Sequence, residues 1–494
     1  MKLRLVGHDY KYAVEQIMLA LFPEERPLYS SDLNISSDEL FATSRLHHGP
    51  VYAQATTVMR CGIRVSHGSA RVRCAKLTDR LTSDRLLQRI IKQSFYRAAL
   101  DYIDTPPVWG SLTGIRPAHI ATVALESGMS EKTAIRTLTG DYYVSNERAS
   151  MSVLAAQASL TIKRTLEPHD IALYIGIPFC PSRCAYCSFV SNSVEKSFGL
   201  IDPFVQTLLR EIDLAATMVR ELGLRIISVY IGGGTPTSLP AETLRSILLS
   251  LKSAFDLSHV REYTVEAGRP DTITEQKLDI IRLSGAKRVC INPQSMSEAV
   301  LSAIGRRHTP DDVLHAVQLV RQYGAELNMD VIAGLPADTP ASFERTLNTV
   351  LGLEPENITV HTLSLKKGSR IMLEGTVVPS GQDVSRMLGY ALHRLPECGF
   401  EPYYLYRQKF TSGGFENTGW SIPGHVGVYN ICMMEELCSV LALGGGGVTK
   451  LVSPGGRIER IFNAKYPREY ILQSEKLENK FKQVKNFHSP RTAH

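Results

Sequence analysis

The run IALYIGIPFCPSRCAYCSF, residues 171–189, joins an unbroken apolar stretch to three closely spaced cysteines, Cys180, Cys184 and Cys187. The apolar stretch reads as a β-strand covered on both faces. The cysteines follow at its C-terminal end in C-x3-C-x2-C spacing, and no fourth cysteine or histidine comes close behind. A structural zinc site is usually closed by four ligands, commonly two C-x2-C knuckles some distance apart. Thiolates also hold iron–sulfur clusters. A [4Fe–4S] cube tied down through three irons keeps an open position on the fourth, and can act on a substrate. A zinc knuckle and a loop with incidental cysteines are the competing readings; the missing fourth ligand favours the cluster.

Working outward from this loop, apolar runs alternate with amphipathic helical segments. IALYIGIP is followed by a helix over 203–222, IISVYIGGG by one over 241–255, and EYTVEAG by one over 274–283. RVCINPQ, ELNMDVIAGLP and NITVHTLSL continue the pattern, with helices over 297–304, 311–323, 340–351 and 383–395. Six β-then-α units predict a parallel sheet, and six are too few for a closed eight-fold barrel. The expected fold class is α/β, a partial, open-sided (β/α)6 barrel. Active sites of such folds gather at the C-terminal ends of the strands, where the cysteines stand. GGGTPT, residues 232–237, ends the second strand. Backbone without Cβ atoms there lets a ligand approach closely.

Residues 1–165 read as a separate α+β accessory domain. MKLRLVG, LFATSRL, VYAQATTVM and GIRVSHG are strand-like, and helical runs cover 83–102 and 118–163 around the Pro/Gly-rich junction DTPPVWGSLTGIRPAH. The barrel is expected over 166–400, a mostly helical or irregular substrate-side extension over 401–474, and a frayed tail over 475–494. A net charge of +6 without a dense Lys/Arg block gives no support to nucleic-acid binding. No stretch reaches the roughly 18–20 apolar residues of a membrane span, and the N-terminus lacks the apolar core of a signal peptide. Nine cysteines, six of them scattered, do not form a disulfide framework in a chain of this size. A reduced, cytoplasmic protein is expected, with Cys290, Cys432 and Cys438 as packing residues.

The cysteine triplet, GGGTPT and the six βα units together resemble the radical S-adenosylmethionine (radical SAM) enzymes. YIGIPFCPSRCAYCSF, EYTVEAGRPD, INPQSMSEAVLSAIGRRHT and NMDVIAGLPADT resemble, in order, the oxygen-independent coproporphyrinogen III oxidase group, and PPVWGSLTGIRP and EPYYLYRQK its N-terminally extended branch. The resemblance implies a [4Fe–4S] cluster on Cys180, Cys184 and Cys187, with SAM chelating the open iron and yielding a 5′-deoxyadenosyl radical. Gly233, Gly234 and Thr235 would hold the methionine end of SAM, and Tyr186 would lie against the adenine. Tyr174 would stand near the sulfonium and Glu266 would take the ribose. Gln294, Arg306 and Asp330 would line a deeper cavity for substrate or a second SAM, with Tyr174 and Arg306 the catalytic candidates. Glu266 and Asp330 also end apolar strands, where a buried carboxylate is costly unless partnered.

The implied reaction is oxidative decarboxylation of two propionates of coproporphyrinogen III to vinyl groups, giving protoporphyrinogen IX. It needs a tetrapyrrole substrate and a reducing donor such as flavodoxin or ferredoxin. Further propionate clamps are Lys366, Lys367, Arg370, Arg407 and Lys409, and Tyr403, Tyr404 and Tyr406 either face the macrocycle or fill a core. The group's fourth cysteine and upstream histidine are replaced by Phe189 and Gly176. The haem-chaperone branch carries H-N-x-x-Y-W where this chain has VYNICMM, residues 428–434; Asn430 is kept, and the loss of the other residues weighs against that role. Gly444–Gly447 reads as a close-packed turn.

Overall fold

The computed structural model describes residues 1–29, 39–187, 192–366, 368–408 and 414–489; Phe189, Lys367 and Lys409 lie outside them. The chain divides into two compact units, Met1–Val153 and Leu154–His494. The division falls within the helix Asn146–Lys163 rather than after residue 165. The change of texture near Asp170 marks the first barrel strand, not the edge of a compact unit.

The first unit is a sheet of β1 (Lys2–Val6), β2 (Leu28–Tyr29), β3 (Phe41–His48), β4 (Tyr52–Cys61) and β5 (Arg64–Arg73), in the order β2-β1-β3-β4-β5. β5 alternates buried and exposed residues along most of its length, so one face is wet and the other is covered. The helices Lys11–Leu21 and Arg80–Ala99 cover it with Ile17, Met18, Ile90, Ile91 and Phe95, against Leu3 and Met59. The longer helix begins where the Asp79 side chain accepts the Thr82 N–H at 2.9 Å.

The second unit contains β6 (Asp170–Ile177), the short pair β7 (Phe179–Cys180) and β8 (Asn192–Ser193), β9 (Arg225–Gly233), β10 (Glu262–Glu266), β11 (Arg288–Gln294), β12 (Glu326–Ala333) and β13 (Asn357–Thr362). It continues with β14 (Glu401–Arg407), β15 (Glu416–Ser421), β16 (Ser439–Gly444), β17 (Val448–Val452) and β18 (Ile458–Phe462). The strands form one sheet in the order β14-β15-β13-β12-β11-β10-β9-β6-β16-β17-β18. β13 through β6 are mutually parallel, so the expected six βα units are present. β11 is buried at every position, as a strand between two covering layers should be. Helix starts are well specified: Thr309 and Thr339 each make a capping box, with Asp312 and Ser342, ahead of Pro310 and Pro340.

The region after residue 400 carries the helices Val428–Glu435, Pro467–Leu472 and Lys476–His488 and also extends the sheet at both ends. β16 adds a seventh parallel strand beside β6. There Gly444, at φ +82°, passes the Gly176 carbonyl so closely that a Cβ would stand 2.3 Å from the oxygen. The close-packed reading of this turn therefore holds at Gly444.

The expected frayed tail is instead the helix Lys476–His488. Leu477, Phe481 and Val484 recur at helical spacing and are buried, and the helix lies along Ile201–Glu221. Lys480, 5% exposed, meets the fully buried Glu211 at 2.8 Å. Glu211 also accepts from Tyr470 Oη at 2.5 Å and from the Gly444 N–H at 2.7 Å. The basic composition hid an apolar stripe and a charge with a buried partner.

Candidate active site at the C-terminal ends of the parallel strands

The cysteine loop is fastened at its root. Past β6, the Ile177 and Phe179 carbonyls accept the N–H groups of Gly234 and Thr235, each at 2.7 Å. A Cβ on Gly234 would stand 2.4 Å from the Phe179 oxygen, and Gly233 sits at φ +102°. GGGTPT is therefore a strap that binds the end of β9 to the cysteine loop, and only glycine lets the two backbones meet. The Thr235 hydroxyl reaches Cys180 Sγ at 3.5 Å. Further along, the Ala185 N–H bonds the Ile304 carbonyl at 2.9 Å, and Cys187 N–H closes a turn onto the Cys184 carbonyl at 3.2 Å.

None of the nine cysteines is in a disulfide; Cys184 is buried, and Cys180 and Cys187 are half-buried. Among the described residues, no three His, Cys, Asp or Glu side chains converge as they would around a single metal ion. Three thiols on one fastened loop remain a donor set suited to a polynuclear cluster, whose ligands stand on different metal atoms.

Below the loop, the strand ends present a stack of aromatic rings and buried acids. Tyr174 of β6 lies 6.3 Å from Tyr230 of β9 and 5.9 Å from Tyr429 of the helix Val428–Glu435, with Tyr230 and Tyr429 4.5 Å apart. All three rings lie within 20° of parallel. The VYNICMM segment thus puts Tyr429 under the barrel strands. Its start is held by Glu262, which accepts the Tyr429 N–H at 2.7 Å and pairs with the buried Arg288 at 3.1 Å. Asn430 turns away, donating to Tyr403 Oη at 3.4 Å.

Tyr230 donates to Glu266 Oε1 at 2.5 Å, and the carboxyl lies over Gly232, where a Cβ would meet it at 3.0 Å. Burial pushes the Glu266 pKa up to about 7, against the hydrogen bond from Tyr230. Asp330 of β12 accepts from Asn328 Nδ2 at 3.0 Å and faces His361 Nε2 of β13 at 3.5 Å. Burial acts upward on Asp330, but hydrogen bonds from His361, Asn328 and Thr359 outweigh it and hold the carboxyl below its ordinary range. His361 is held above its ordinary value, chiefly by Asp330 working against burial.

Arg306 joins this floor to the cysteine loop. Its guanidinium is buried and donates to the Gly268 carbonyl at 3.2 Å, the Asn292 carbonyl at 2.5 Å and Tyr186 Oη at 3.2 Å. Several buried polar atoms here lack a partner among the described residues: Gln294 Oε1, Asn292 Oδ1, Arg306 Nε and both ring nitrogens of His308. Gln294 also holds a left-handed backbone at φ 66°. Unsatisfied buried polar groups are rare and costly, so their gathering beside the cysteine loop marks a place where a polar ligand belongs. Together with the three thiols and the glycine strap, this fits an iron–sulfur cluster and a polar nucleoside cofactor.

The structure places Glu266 and Gln294 at the ends of their strands, Tyr174 and Asp330 farther back, each three residues short of the end of β6 and β12, Arg306 after the helix Glu298–Ala303, and Tyr186 in the cysteine loop; Asp330 therefore does not end its strand as expected. Among the outer candidates, Arg370 is exposed and paired with Glu374 at 3.0 Å. Lys366 is half-buried. Arg407 pairs in register with Glu416, one step from Tyr406 and Asn417, and so alternates to the opposite face of the sheet. Tyr403 and Tyr404 are buried in a core with Ile431, with Tyr406 packed against them. Sequence reasoning missed Tyr230, Tyr429, His361 and His308. Tyr230 carried a usable signal, standing two residues before GGGTPT on the same strand face as Gly232; Tyr429 carried none, because its segment reaches the barrel only through the tertiary fold.

Comparison with known proteins agrees with this geometry. Residues 174–350 match the radical SAM superfamily, whose members use a [4Fe–4S] cluster and SAM. The chain is 38% identical to the oxygen-independent coproporphyrinogen-III oxidase-like protein HemZ of Bacillus subtilis, over 73% of this chain and 74% of that one. It is 29% identical to the heme chaperone HemW of the same organism, over 51% of this chain and 68% of that one. The solved structure of coproporphyrinogen III oxidase from Escherichia coli, itself a radical SAM enzyme, superposes with a TM-score of 0.52 at 21% identity, over 65% of this chain and 72% of the other. The fold, the cysteine loop and these likenesses converge: the chain belongs to the radical SAM superfamily and, within it, to the oxygen-independent coproporphyrinogen III oxidase-like group.

Proposed function

We propose that this radical SAM enzyme oxidatively decarboxylates two propionates of coproporphyrinogen III to vinyl groups, giving protoporphyrinogen IX. The observation that carries the reading is the set Glu266, Asp330 and Gln294 on the C-terminal halves of neighbouring parallel strands, with Arg306 joining Gly268 and Asn292 to the cysteine loop through Tyr186, in a chain 38% identical to an oxidase-like protein. Cys180, Cys184 and Cys187 would hold the cluster, and Gly233, Gly234 and Thr235 would hold the methionine end of SAM. Tyr186 would lie against the adenine, Glu266 would take the ribose, and Tyr174 would stand near the sulfonium. When bound, the cluster and SAM supply one-electron chemistry: reductive cleavage of SAM and hydrogen abstraction from carbon.

The protein's own tasks are positional. The tyrosine stack excludes water below the reacting carbon. The strap fixes the cysteine loop against β9, and Arg306 couples that loop to Gly268 and Asn292, so cofactor and substrate share one rigid frame. Residues 401–408 and 414–474 would contribute the substrate side, and a reduced flavodoxin or ferredoxin would supply the electron.

Haem handling is the second reading, favoured by the likeness to the chaperone HemW. The helix Val428–Glu435 weighs against it. It offers neither His nor Trp, and Tyr429 is committed to the stack with Tyr174 and Tyr230. Anaerobic incubation of the reconstituted protein with SAM, reductant and coproporphyrinogen III separates the two. Protoporphyrinogen should accumulate, and a Cys184→Ala variant should make none; stoichiometric haem binding without porphyrinogen turnover would favour the chaperone.

A further inference from the structure

At the far end of the strand-end floor, β13 and β15 bring two side chains together that the sequence did not single out. His361 Nδ1 lies 3.4 Å from Asn417 Oδ1. The same Oδ1 accepts the Thr362 backbone N–H at 3.0 Å, which identifies it as the amide oxygen, because a backbone N–H cannot bond an NH2 group. The ring nitrogen facing it is therefore a donor. The other ring nitrogen, Nε2, faces Asp330 Oδ2 at 3.5 Å, and an ionised carboxylate only accepts. Both nitrogens thus face acceptors, the arrangement that favours an imidazolium beside Asp330.

Orienting Asn417 in this way leaves its Nδ2 facing elsewhere. Asn417 is 1% exposed, and its Nδ2 has no acceptor among the described residues. A buried amide donor left unsatisfied is costly. Tyr406, the register partner of Asn417, is half-buried on the same face, and Glu266 contributes the remaining charge that reaches His361. The place thus holds a cation already balanced by Asp330, an amide N–H2 in need of an acceptor, and an aromatic wall.

We propose that His361 and Asn417 are the recognition pair for one carboxylate of the substrate. Asn417 Nδ2 donates to the carboxylate, and the His361 imidazolium keeps Asp330 from repelling it. The proposal rests on the tetrapyrrole reading above and names the residues that select for a free propionate. None of Lys366, Arg370 and Arg407 has this placement.

The test titrates the anaerobically reconstituted holoenzyme with coproporphyrin III, a stable tetracarboxylate, and with its tetramethyl ester, following porphyrin absorbance. Asn417→Asp keeps the acceptor that Thr362 and His361 use but replaces the donor with a second anion. It should fold but melt below the wild-type temperature, because a second carboxylate is then buried beside Asp330, bind the tetra-acid about tenfold to a hundredfold more weakly, the worth of one hydrogen bond to a charged group, and leave ester binding unchanged. His361→Gln should likewise weaken the acid more than the ester. If the wild type binds the acid while both variants bind it equally well, or lose acid and ester alike, the pair does not recognise a carboxylate, and this inference alone falls. If the wild type does not bind the tetra-acid at all, the tetrapyrrole reading falls and takes the inference with it.

Discussion

Tyr230 Oη donates to Glu266 Oε1 at 2.5 Å, beneath the glycine strap and beside the stack formed with Tyr174 and Tyr429. The bond holds a buried carboxyl that titrates near neutrality, pushed up to about 7 by burial. In the assignment proposed here, the ionised form accepts from the SAM ribose. SAM affinity should therefore rise with pH through about 7. Tyr230→Phe removes the bond that favours the ionised form and should move this midpoint upward by about one unit, the worth of one such bond. Equilibrium binding of SAM across pH 5.5–9 measures it.

The same residue makes a stability prediction of definite sign. A carboxyl whose folded pKa lies above its unfolded value loses stability as pH rises between the two, because the unfolded chain releases the proton more readily. Glu266→Gln should match the wild type near pH 5 and exceed it at pH 8 by about 2–3 kcal/mol, the free-energy equivalent of the shift. Urea unfolding at the two pH values provides the check.

Gly234 is predicted to tolerate no side chain. A Cβ would stand 2.4 Å from the Phe179 carbonyl oxygen and 2.8 Å from that of Ile177. Gly234→Ala should part the strap from the cysteine loop and lower the iron retained per chain after reconstitution, with the circular dichroism of the fold little changed.

Lys480 is predicted to be worth far more than a tail residue. Lys480→Met leaves Glu211, 0% exposed, without its cation and should cost about 3–5 kcal/mol, as breaking a buried pair does. The double variant Glu211→Gln, Lys480→Met should recover much of that loss, because no charge is then left buried. Denaturant unfolding of the single and double variants reads both values.

The parts of this fold visible in the sequence were those with local causes. Apolar strands covered on both faces, proline and threonine at helix starts, and three cysteines in eight residues each specify their own neighbourhood. The cysteine loop and the strand-end residue Glu266 were legible for that reason, whereas Asp330 lies inside β12 rather than at its end. The remaining features depend on distant partners. β16 becomes a barrel strand only by pairing with β6, almost 270 residues earlier. Tyr429 enters the site because Glu262 and Arg288 anchor its helix. The helix Lys11–Leu21 went unmarked because a strand-like beginning overshadowed its apolar face. Lys480 looked solvated because its partner, Glu211, is remote in sequence. His361 and Asn417 form a pair only because β15 runs antiparallel to β13, and no spacing rule within one segment reveals that.

The central claim is the removal of carboxylates by chemistry dependent on the cysteine loop, and counting carbon dioxide tests it most directly. Coproporphyrinogen III labelled in its propionate carboxyls would be turned over anaerobically with SAM and reductant, and released carbon dioxide compared with 5′-deoxyadenosine. The account predicts two carbon dioxides for each tetrapyrrole converted, and none of either product from Cys184→Ala. Formation of 5′-deoxyadenosine by the wild type, with every propionate intact, would contradict it.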